Sequence, residues 1–145
     1  MKKLRVLFVC TGNRARSQMA EGFLRHFAGD RFEVYSAGTV PKGLSPITVE
    51  VMREVGIDVS EHRSKSVEEF VGEDFDYVIT VCDVARAACP RFERSKRLLH
   101  WSIRDPAELE AAGVVSIEAF RAAREELRAR IEEFIRERMP VTSTK

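Results

Sequence analysis

The residues best suited to chemistry lie near the amino terminus, between an apolar run and a stretch with helical spacing. The segment reads Cys10, Thr11, Gly12, Asn13, Arg14, Ala15, Arg16 and Ser17. A strand over residues 4–9 would deliver Cys10 into a loop that ends at a helix N-terminus, where unpaired backbone N–H groups favour an oxyanion. The same field, with Arg16 nearby, predicts a lowered pKa for the Cys10 thiol. The pattern therefore predicts a nucleophile inside an anion-binding loop.

Other side chains of this loop suit the same chemistry. Arg16 presents a planar fork of donors that can hold two oxygens of a phosphate-like group. Ser17 can cap the following helix or donate to the sulfur of the nucleophile, and Arg14 adds positive charge for anion capture. Asn13 and Gln18 are the single Asn and the single Gln of the chain. A sequence that otherwise avoids labile amides therefore keeps one inside this loop and one beside it.

The elements that must position the loop are predicted from hydrophobic spacing and capping signals. Strands are predicted over residues 4–9, 32–37, 76–81 and 97–101. Helices are predicted over residues 17–28 and 46–55, after a capping box at 66–69, and along a final stretch that Ser116 caps. Residues 83–90 are predicted as an alanine-rich turn or helix. The buried helix faces are residues 20, 23, 24 and 27 in the first helix and 120, 123, 127, 131 and 134 in the last.

Strands that alternate with helices imply an α/β fold, with a parallel sheet and helices on both faces. Ligands in such folds bind beyond the carboxyl ends of the strands. Because Cys10, Cys82 and Asp105 each follow a predicted strand, we expect all three at one edge of the sheet. Pro106 biases Asp105 away from helix, so its carboxyl can project over the loop and protonate a leaving oxygen. An ordinary Asp-Pro turn is the alternative interpretation.

Composition limits the class of protein. The chain has 145 residues, of which 44% are apolar and 32% charged, which suits one domain over residues 1–140 with a flexible tail over 141–145. A net charge of +1 gives no reason to expect nucleic-acid or membrane binding. The first apolar run is too short for a signal peptide or a membrane span. Three cysteines predict a reducing cytoplasm, and the scarcity of amides predicts a thermophilic source.

A resemblance rests on these residues. Cys-x5-Arg-Ser directly after a strand resembles the signature of the low-molecular-weight protein tyrosine phosphatases, and equally that of their relatives, the thioredoxin-coupled arsenate reductases. The similarity extends from Leu4 to about Phe134 and includes residues 18–21, 35–38, 60–62, Cys82, Cys89 and 105–106. It implies the low-molecular-weight phosphatase fold, with a four-stranded parallel sheet in the order 2-1-3-4. It also implies that the six loop residues around the two catalytic ones bind the oxyanion and tune the loop, namely Thr11, Gly12, Asn13, Arg14, Ala15 and Ser17.

Cys82 and Cys89 distinguish the two relatives. A phosphatase needs one thiol, whereas an arsenate reductase needs a second thiol to release the arsenic and a third to resolve the disulfide. In the implied strand order, Cys10 and Cys82 lie within disulfide reach. Seven residues of helix would separate Cys82 from Cys89 by about 10.5 Å, so their pairing requires the segment between them to unwind or loop. The alternative is that both are small buried apolar residues.

Departures from the family pattern matter too. Arsenate reductases often have a further cysteine at the position of Ala15, and many tyrosine phosphatases have an aromatic residue at that of Ala107, which weakens the phosphotyrosine interpretation.

Some relatives bind potassium through the positions of Asn13, Glu21 and Ser36 and an acidic residue where this chain has Lys65. Because the Lys65 ammonium could replace the ion, no metal is predicted. His62 is predicted as a local hydrogen-bonding residue, and His26 and His100 support no role. Trp101 is predicted to pack under the Asp105 loop.

The resulting hypothesis is an arsenate reductase. Cys10 would attack arsenic while Arg16 holds the oxygens and Asp105 protonates the departing hydroxyl. Cys82 and then Cys89 would complete a disulfide cascade that thioredoxin reduces, with arsenate or phosphate as the oxyanion and no tightly bound cofactor. We expect a cytoplasmic monomer with weak phosphatase side activity. The alternatives are a phosphatase for phosphotyrosine proteins or small phosphate esters, and a non-catalytic oxyanion or redox sensor.

Overall fold

The computed structural model describes residues 2–89, 92, 95–106 and 116–138. Its elements, in chain order, are β1 (Leu4–Cys10), α1 (Arg16–Ala28), β2 (Phe32–Gly38), α2 (Pro46–Arg53), a 3-10 helix (Val67–Phe70), β3 (Phe75–Thr80), α3 (Asp83–Ala88), β4 (Ser95–His100) and α4 (Ile117–Arg138). Each predicted strand is present, and no end is shifted by more than two residues. The alanine-rich segment forms a helix rather than a turn. The predicted tail over 141–145 and Ala107 lie outside the described residues.

The sheet is parallel and has the strand order β2-β1-β3-β4, which confirms the implied topology. The central strand β1 is buried from Val6 to Cys10, so both of its faces are covered, as expected for a parallel sheet. Phe134 of α4 packs on Phe32 of one face, with ring centroids 5.6 Å apart. Phe70 of the 3-10 helix packs on Tyr35, three residues further along β2 and thus on the opposite face, at 5.6 Å.

The long helix α4 buries its apolar face as predicted, over residues 120, 123, 127, 131 and 134. Phe134 also contacts Trp101, which in turn packs on Phe8 of β1 at 5.9 Å. Trp101 therefore ties the chain just after β4 to the core, four residues before Asp105. This aromatic packing fixes the start of the segment that carries Asp105.

Serine side chains begin α2 and α4 as predicted. The Ser45 hydroxyl accepts from the Ile47 amide at 3.2 Å, and the Ser116 hydroxyl accepts from the Ala119 amide at 3.2 Å. The predicted burial of Phe27 is wrong, since 39% of this residue is exposed near the end of α1. Its ring stacks on Phe23 instead of entering the core.

Within the described part of the chain, no helix combines the length and the apolar character needed to cross a bilayer.

Candidate active site

The carboxyl ends of β1 and β3 bring Cys10 and Cys82 together. Val9 pairs with Thr80 across the two strands, and the Val81 amide continues the ladder by donating to the Val9 carbonyl at 2.9 Å. Cys82 consequently lies opposite the residue after Cys10, and its sulfur is 3.4 Å from the Thr11 hydroxyl. All three cysteines are free thiols, Cys10 and Cys82 being buried and Cys89 half-buried.

The loop and the Asp105 segment face one cavity of about 410 Å³. Cys10, Arg16 and Asp105 all line it, so the structure brings the predicted nucleophile, the predicted oxyanion-binding arginine and the predicted general acid to one cavity. Arg14 and Lys42 also line it and make its wall cationic. A cavity with these walls favours an anion.

The Cys10 sulfur lies 2.8 Å from the Ser17 hydroxyl and accepts from the Asn13 amide at 3.2 Å. Ser17 therefore contacts the sulfur, whereas α1 begins without a side-chain cap. Burial raises the pKa of the Cys10 thiol, and the Ser17 hydrogen bond and the Arg16 charge only partly oppose this. The lowered pKa expected from the sequence is thus wrong for this arrangement, because desolvation of the buried sulfur outweighs the loop's field.

Asn13 organises the loop from within. It is fully buried and has a φ of 48°, in the left-handed region that Asn tolerates better than most residues. Its amide nitrogen donates to the hydroxyls of Ser17 and Ser36 at 2.7 and 3.0 Å. Its side-chain oxygen accepts from the Lys65 amide at 2.8 Å and from Gln18 at 3.1 Å. Both donors and both acceptor positions of the amide are used, which explains why an amide is kept here.

Gly38 allows β2 to approach the loop closely. A Cβ atom at this position would lie 2.6 Å from the Thr11 carbonyl oxygen and 2.9 Å from the Asn13 amide nitrogen. Both of those atoms belong to the backbone of the anion-binding loop, so they cannot move aside without distorting it. Any side chain at Gly38 would therefore displace the loop.

Arg16 connects the loop with the segment after β4. One guanidinium nitrogen donates to the Ile103 carbonyl at 3.0 Å, and another lies 3.4 Å from a carboxylate oxygen of Asp105. Arg16 is largely buried, whereas Asp105 is partly exposed. The pair places a predicted oxyanion-binding cation in contact with the predicted general acid.

Cys82 and Cys89 flank the two ends of α3. The Cys82 sulfur accepts from the Ala85 amide at 3.3 Å and so caps the helix, while Cys89 follows the last helical residue in extended conformation. Burial raises the pKa of Cys89 to about 11. An intact helix spaces two residues seven apart by about 10.5 Å, beyond the roughly 4.4–6.8 Å that a disulfide needs.

A polar network supports the loop from the side of α1. The Ser36 hydroxyl donates to Glu21, whose second oxygen pairs with Arg25 at 2.6 Å. His62 lies 2.9 Å from the side-chain oxygen of Gln18 and 3.2 Å from Arg25. The prediction that His62 is a local hydrogen-bonding residue is confirmed.

The same network includes the positions through which some relatives bind potassium. The Lys65 ammonium is half-buried and donates to the Arg63 carbonyl at 2.7 Å. Burial lowers the pKa of Lys65, and the charge of the Glu21 carboxylate only partly opposes this. Arg25 already pairs with the same carboxylate. The Glu21 carboxylate therefore already has the charges of Arg25 and Lys65 close to it, and these residues do not fit a further cation.

His100 is the residue that the sequence analysis missed. Its Nδ1 lies 2.7 Å from the Thr80 hydroxyl, and its Nε2 lies 2.7 Å from a carboxylate oxygen of Asp83. Thr80 is its direct partner across β3 and β4. The only sequence signal was that Thr80 and His100 lie in predicted strands that are neighbours in the implied order, which could not have shown the contact with α3.

Comparison with known proteins identifies the class. The model of the low molecular weight phosphotyrosine protein phosphatase family matches residues 5–140, so the chain belongs to this family. The arsenate reductase of Halalkalibacterium halodurans is 40% identical over 134 residues, covering 92% of this chain and 96% of that protein. A solved arsenate reductase in the phosphate binding state is 34% identical, with a TM-score of 0.80 and coverage of 92% of this chain and 98% of the other.

A thioredoxin-dependent arsenate reductase from Corynebacterium glutamicum has the same fold. It is 31% identical, with a TM-score of 0.69, and the match covers 93% of this chain and 61% of that one. The family and the fold predicted from the sequence are thereby confirmed.

Proposed function

We propose that this protein reduces arsenate to arsenite through Cys10, Cys82 and Cys89, with thioredoxin as the external reductant. The position of Cys82 carries the proposal. Its sulfur lies 3.4 Å from the hydroxyl of Thr11, the residue after Cys10, and caps a helix that Cys89 follows. A hydrolase would need neither of these two thiols. Similarity to arsenate reductases along nearly the whole chain supports the same activity.

The first step is attack of the Cys10 thiolate on pentavalent arsenic. An As–S bond forms, and an As–O bond breaks with the oxygen leaving as water after it takes a proton from Asp105. Arg16 and the loop amides hold the remaining oxygens. Because burial raises the pKa of Cys10, the bound anion's own basic oxygen is a suitable acceptor for the thiol proton.

The second step transfers the electrons. The Cys82 thiolate attacks the Cys10 sulfur, the As–S bond breaks, and its electron pair reduces arsenic to the trivalent state, which leaves as arsenite. Cys10 and Cys82 are then joined by a disulfide. The close approach of Cys82 to the loop supports this step.

The third step moves the disulfide to a position that thioredoxin can reach. The Cys89 thiolate attacks the Cys82 sulfur, which frees the Cys10 thiolate and leaves a Cys82–Cys89 disulfide. At pH 7, a thiol with a pKa of about 11 is ionised in roughly one molecule in ten thousand. Cys89 therefore becomes an effective nucleophile only when unwinding of α3 brings it into water. The dithiol of thioredoxin then reduces the new disulfide.

A coupled assay with arsenate, thioredoxin, thioredoxin reductase and NADPH tests this proposal. We expect NADPH oxidation that depends on arsenate and on all three thiols. Cys82→Ser and Cys89→Ser should each end multiple turnover. Full-rate reduction by Cys82→Ser would contradict the cascade.

The second candidate function is hydrolysis of phosphate esters, which the family match favours. This reaction needs only Cys10, Arg16 and Asp105, since water replaces the second thiol. Under the main proposal, Cys82→Ser and Cys89→Ser keep a weak activity on an aryl phosphate, and Cys10→Ser abolishes it. Rapid hydrolysis without arsenate-dependent NADPH oxidation would assign the protein to the phosphatases instead.

A further inference from the structure

The helix between the two redox thiols has few means of attachment. Its sequence is Asp-Val-Ala-Arg-Ala-Ala, and only Ala85 among its six residues is buried. Alanine side chains form no hydrogen bonds, so the polar groups available to fix α3 are those of Asp83 and Arg86. Asp83, the residue directly after Cys82, is the one whose carboxylate contacts His100.

His100 joins this helix to the sheet. The Thr80–His100 contact lies within the paired strands β3 and β4, whose ends are further fixed by the Trp101 amide donating to the Thr80 carbonyl at 2.8 Å. The His100–Asp83 contact of 2.7 Å then extends from this fixed frame to the first residue of α3. Ser102 adds a longer contact of 3.4 Å to the other Asp83 oxygen. The hydrogen bond from His100 also lowers the pKa of Asp83, which keeps that carboxylate ionised.

We propose that His100 is a positioning residue that holds α3 in its reduced, helical form through Asp83 and thereby opposes formation of the Cys82–Cys89 disulfide. This inference rests on the proposed function, because it concerns the second disulfide of the cascade. While the contact holds, Cys82 stays beside Thr11, where Cys10 can be reached. Closing the Cys82–Cys89 bond pulls the helix ends together and carries Asp83 away from His100.

The contact therefore stabilises only the dithiol form. Breaking it by mutation should shift the thiol–disulfide equilibrium toward the disulfide. Since the Asp83 side chain is mostly exposed, the contact has the modest strength of a surface pair. We expect a change of about threefold in the equilibrium constant, which corresponds to about 14 mV for a two-electron couple.

The experiment measures this equilibrium for the full chain in dithiothreitol redox buffers, by alkylation of free thiols and mass spectrometry. Every variant also contains Cys10→Ser, so that only Cys82 and Cys89 can pair. His100→Asn retains a polar group near the Nδ1 position and loses the reach to Asp83. His100→Gln places an amide near the Nε2 position and should restore the contact.

We expect His100→Asn to favour the disulfide about threefold and His100→Gln to behave like the parent. Asp83→Ala should have a similar effect, and combining it with His100→Asn should add little, because both changes remove one contact. Arg86→Gln, an exposed change on the same helix, should leave the equilibrium unchanged. The non-additivity of His100→Asn and Asp83→Ala distinguishes loss of their contact from the general effect of an acidic residue on a helix N-terminus.

Two results would overturn the inference in distinguishable ways. If the disulfide forms with the same equilibrium constant in the parent, His100→Asn and Asp83→Ala, His100 does not hold the helix, and the cascade stands. If no Cys82–Cys89 disulfide forms in any oxidising buffer, the proposed cascade fails and the role of His100 fails with it.

Discussion

The Arg16 side chain contacts both the segment after β4 and the anion-binding cavity. It donates to the Ile103 carbonyl and lies 3.4 Å from Asp105, while it also lines the cavity beside Cys10. The guanidinium fork is rigid and planar, so it can bind a backbone oxygen and a carboxylate and still face an anion. The acid and the anion-binding group are thus positioned by the same residue.

Replacing the Arg16 guanidinium should greatly reduce the activity on arsenate. Arg16→Lys leaves a single point charge that cannot hold two oxygens and no longer orients Asp105, so we expect kcat/KM for arsenate to fall about 100-fold, the loss of one or two charged hydrogen bonds. Steady-state kinetics of the coupled assay measures this. Arg14→Lys is the matched control, because it keeps positive charge on the same cavity wall. Full activity of Arg16→Lys would show that positive charge alone is enough at this position.

Ser17 should control the ionisation of the nucleophile. Burial raises the pKa of Cys10 and the Ser17 hydrogen bond lowers it, so Ser17→Ala should move that pKa further upward. Alkylation of Cys10 by iodoacetamide, followed against pH in a Cys82→Ser, Cys89→Ser background, should then shift to higher pH. At pH 7 the variant should react more slowly than its parent. A shift to lower pH would contradict the hydrogen-bonding role.

At the scale of elements, α3 and the network around Glu21 behave differently. The helix is short, largely exposed and flanked by two thiols that are too far apart to bond while it is intact. Glu21 and Ser36 are buried. Together with Arg25 and Lys65 they join α1, β2 and the segment before the 3-10 helix. The proposed cascade requires α3 to rearrange, whereas the network around Glu21 contacts the anion-binding loop through Ser36 and Asn13.

Oxidation should therefore loosen α3 selectively. Closing the Cys82–Cys89 bond breaks the helix hydrogen bonds of residues 83–88, so their amides should exchange faster in the oxidised protein. Hydrogen exchange with mass spectrometry compares the two forms. The amides of α4 serve as the internal control and should stay protected in both. Equal exchange of α3 in both forms would mean that it does not unwind.

Lys65 should make the protein indifferent to potassium. Arg25 pairs with Glu21, and the Lys65 ammonium interacts electrostatically with the same carboxylate. Replacing sodium chloride with potassium chloride at equal ionic strength should therefore not change the melting temperature. Lys65→Asp removes one cation and adds an acid, so its melting temperature should rise in potassium relative to sodium. Lys65→Gln is the control that removes the charge alone. A potassium effect on the parent would show that the ion still binds.

Over the whole molecule, arginine-centred ion pairs join distant parts of the chain. Glu54 after α2 pairs with Arg121 and Arg124 of α4 at 2.6 and 2.7 Å. Arg5 of β1 pairs with Glu33 and Glu73 and lies over the rings of two aromatic residues. Isolated exposed pairs contribute little at room temperature, but connected networks become more effective as temperature rises.

Thermal unfolding against pH should reveal this contribution. We expect a melting temperature above about 60 °C at pH 7, beyond the range of ordinary mesophile domains. Arg121 and Arg124 lower the pKa of Glu54 from 4.5 to about 2. The stability that this carboxylate provides is therefore complete above pH 4.5 and is lost as the pH falls toward 2. Glu54→Gln should lower the melting temperature at pH 7 and weaken its fall on acidification, whereas the exposed control Glu61→Gln should change neither.

Hydrophobic spacing was enough to predict the element order, because the apolar faces of β1 and α4 are long and regular. The loop was predictable because its chemistry lies within eight consecutive residues. The contacts of Arg16 and His100 were not, since each depends on segments at least 17 residues apart in sequence that only the folded chain brings together. The pKa of Cys10 was missed for a related reason, because residue types indicate charge but not the depth at which a sulfur is buried.

The bonding of Asn13 also bears on how the protein ages. Deamidation of an Asn needs its side-chain carbonyl to be free for attack by the following backbone nitrogen, and it would here create a carboxylate next to Cys10, Ser17 and Ser36. The side-chain oxygen of Asn13 is held by the Lys65 amide and by Gln18, and the whole residue is buried. The chain's single Asn is therefore shielded for as long as the protein stays folded. Its chemical lifetime at high temperature should follow the rate of unfolding rather than the rate of amide hydrolysis.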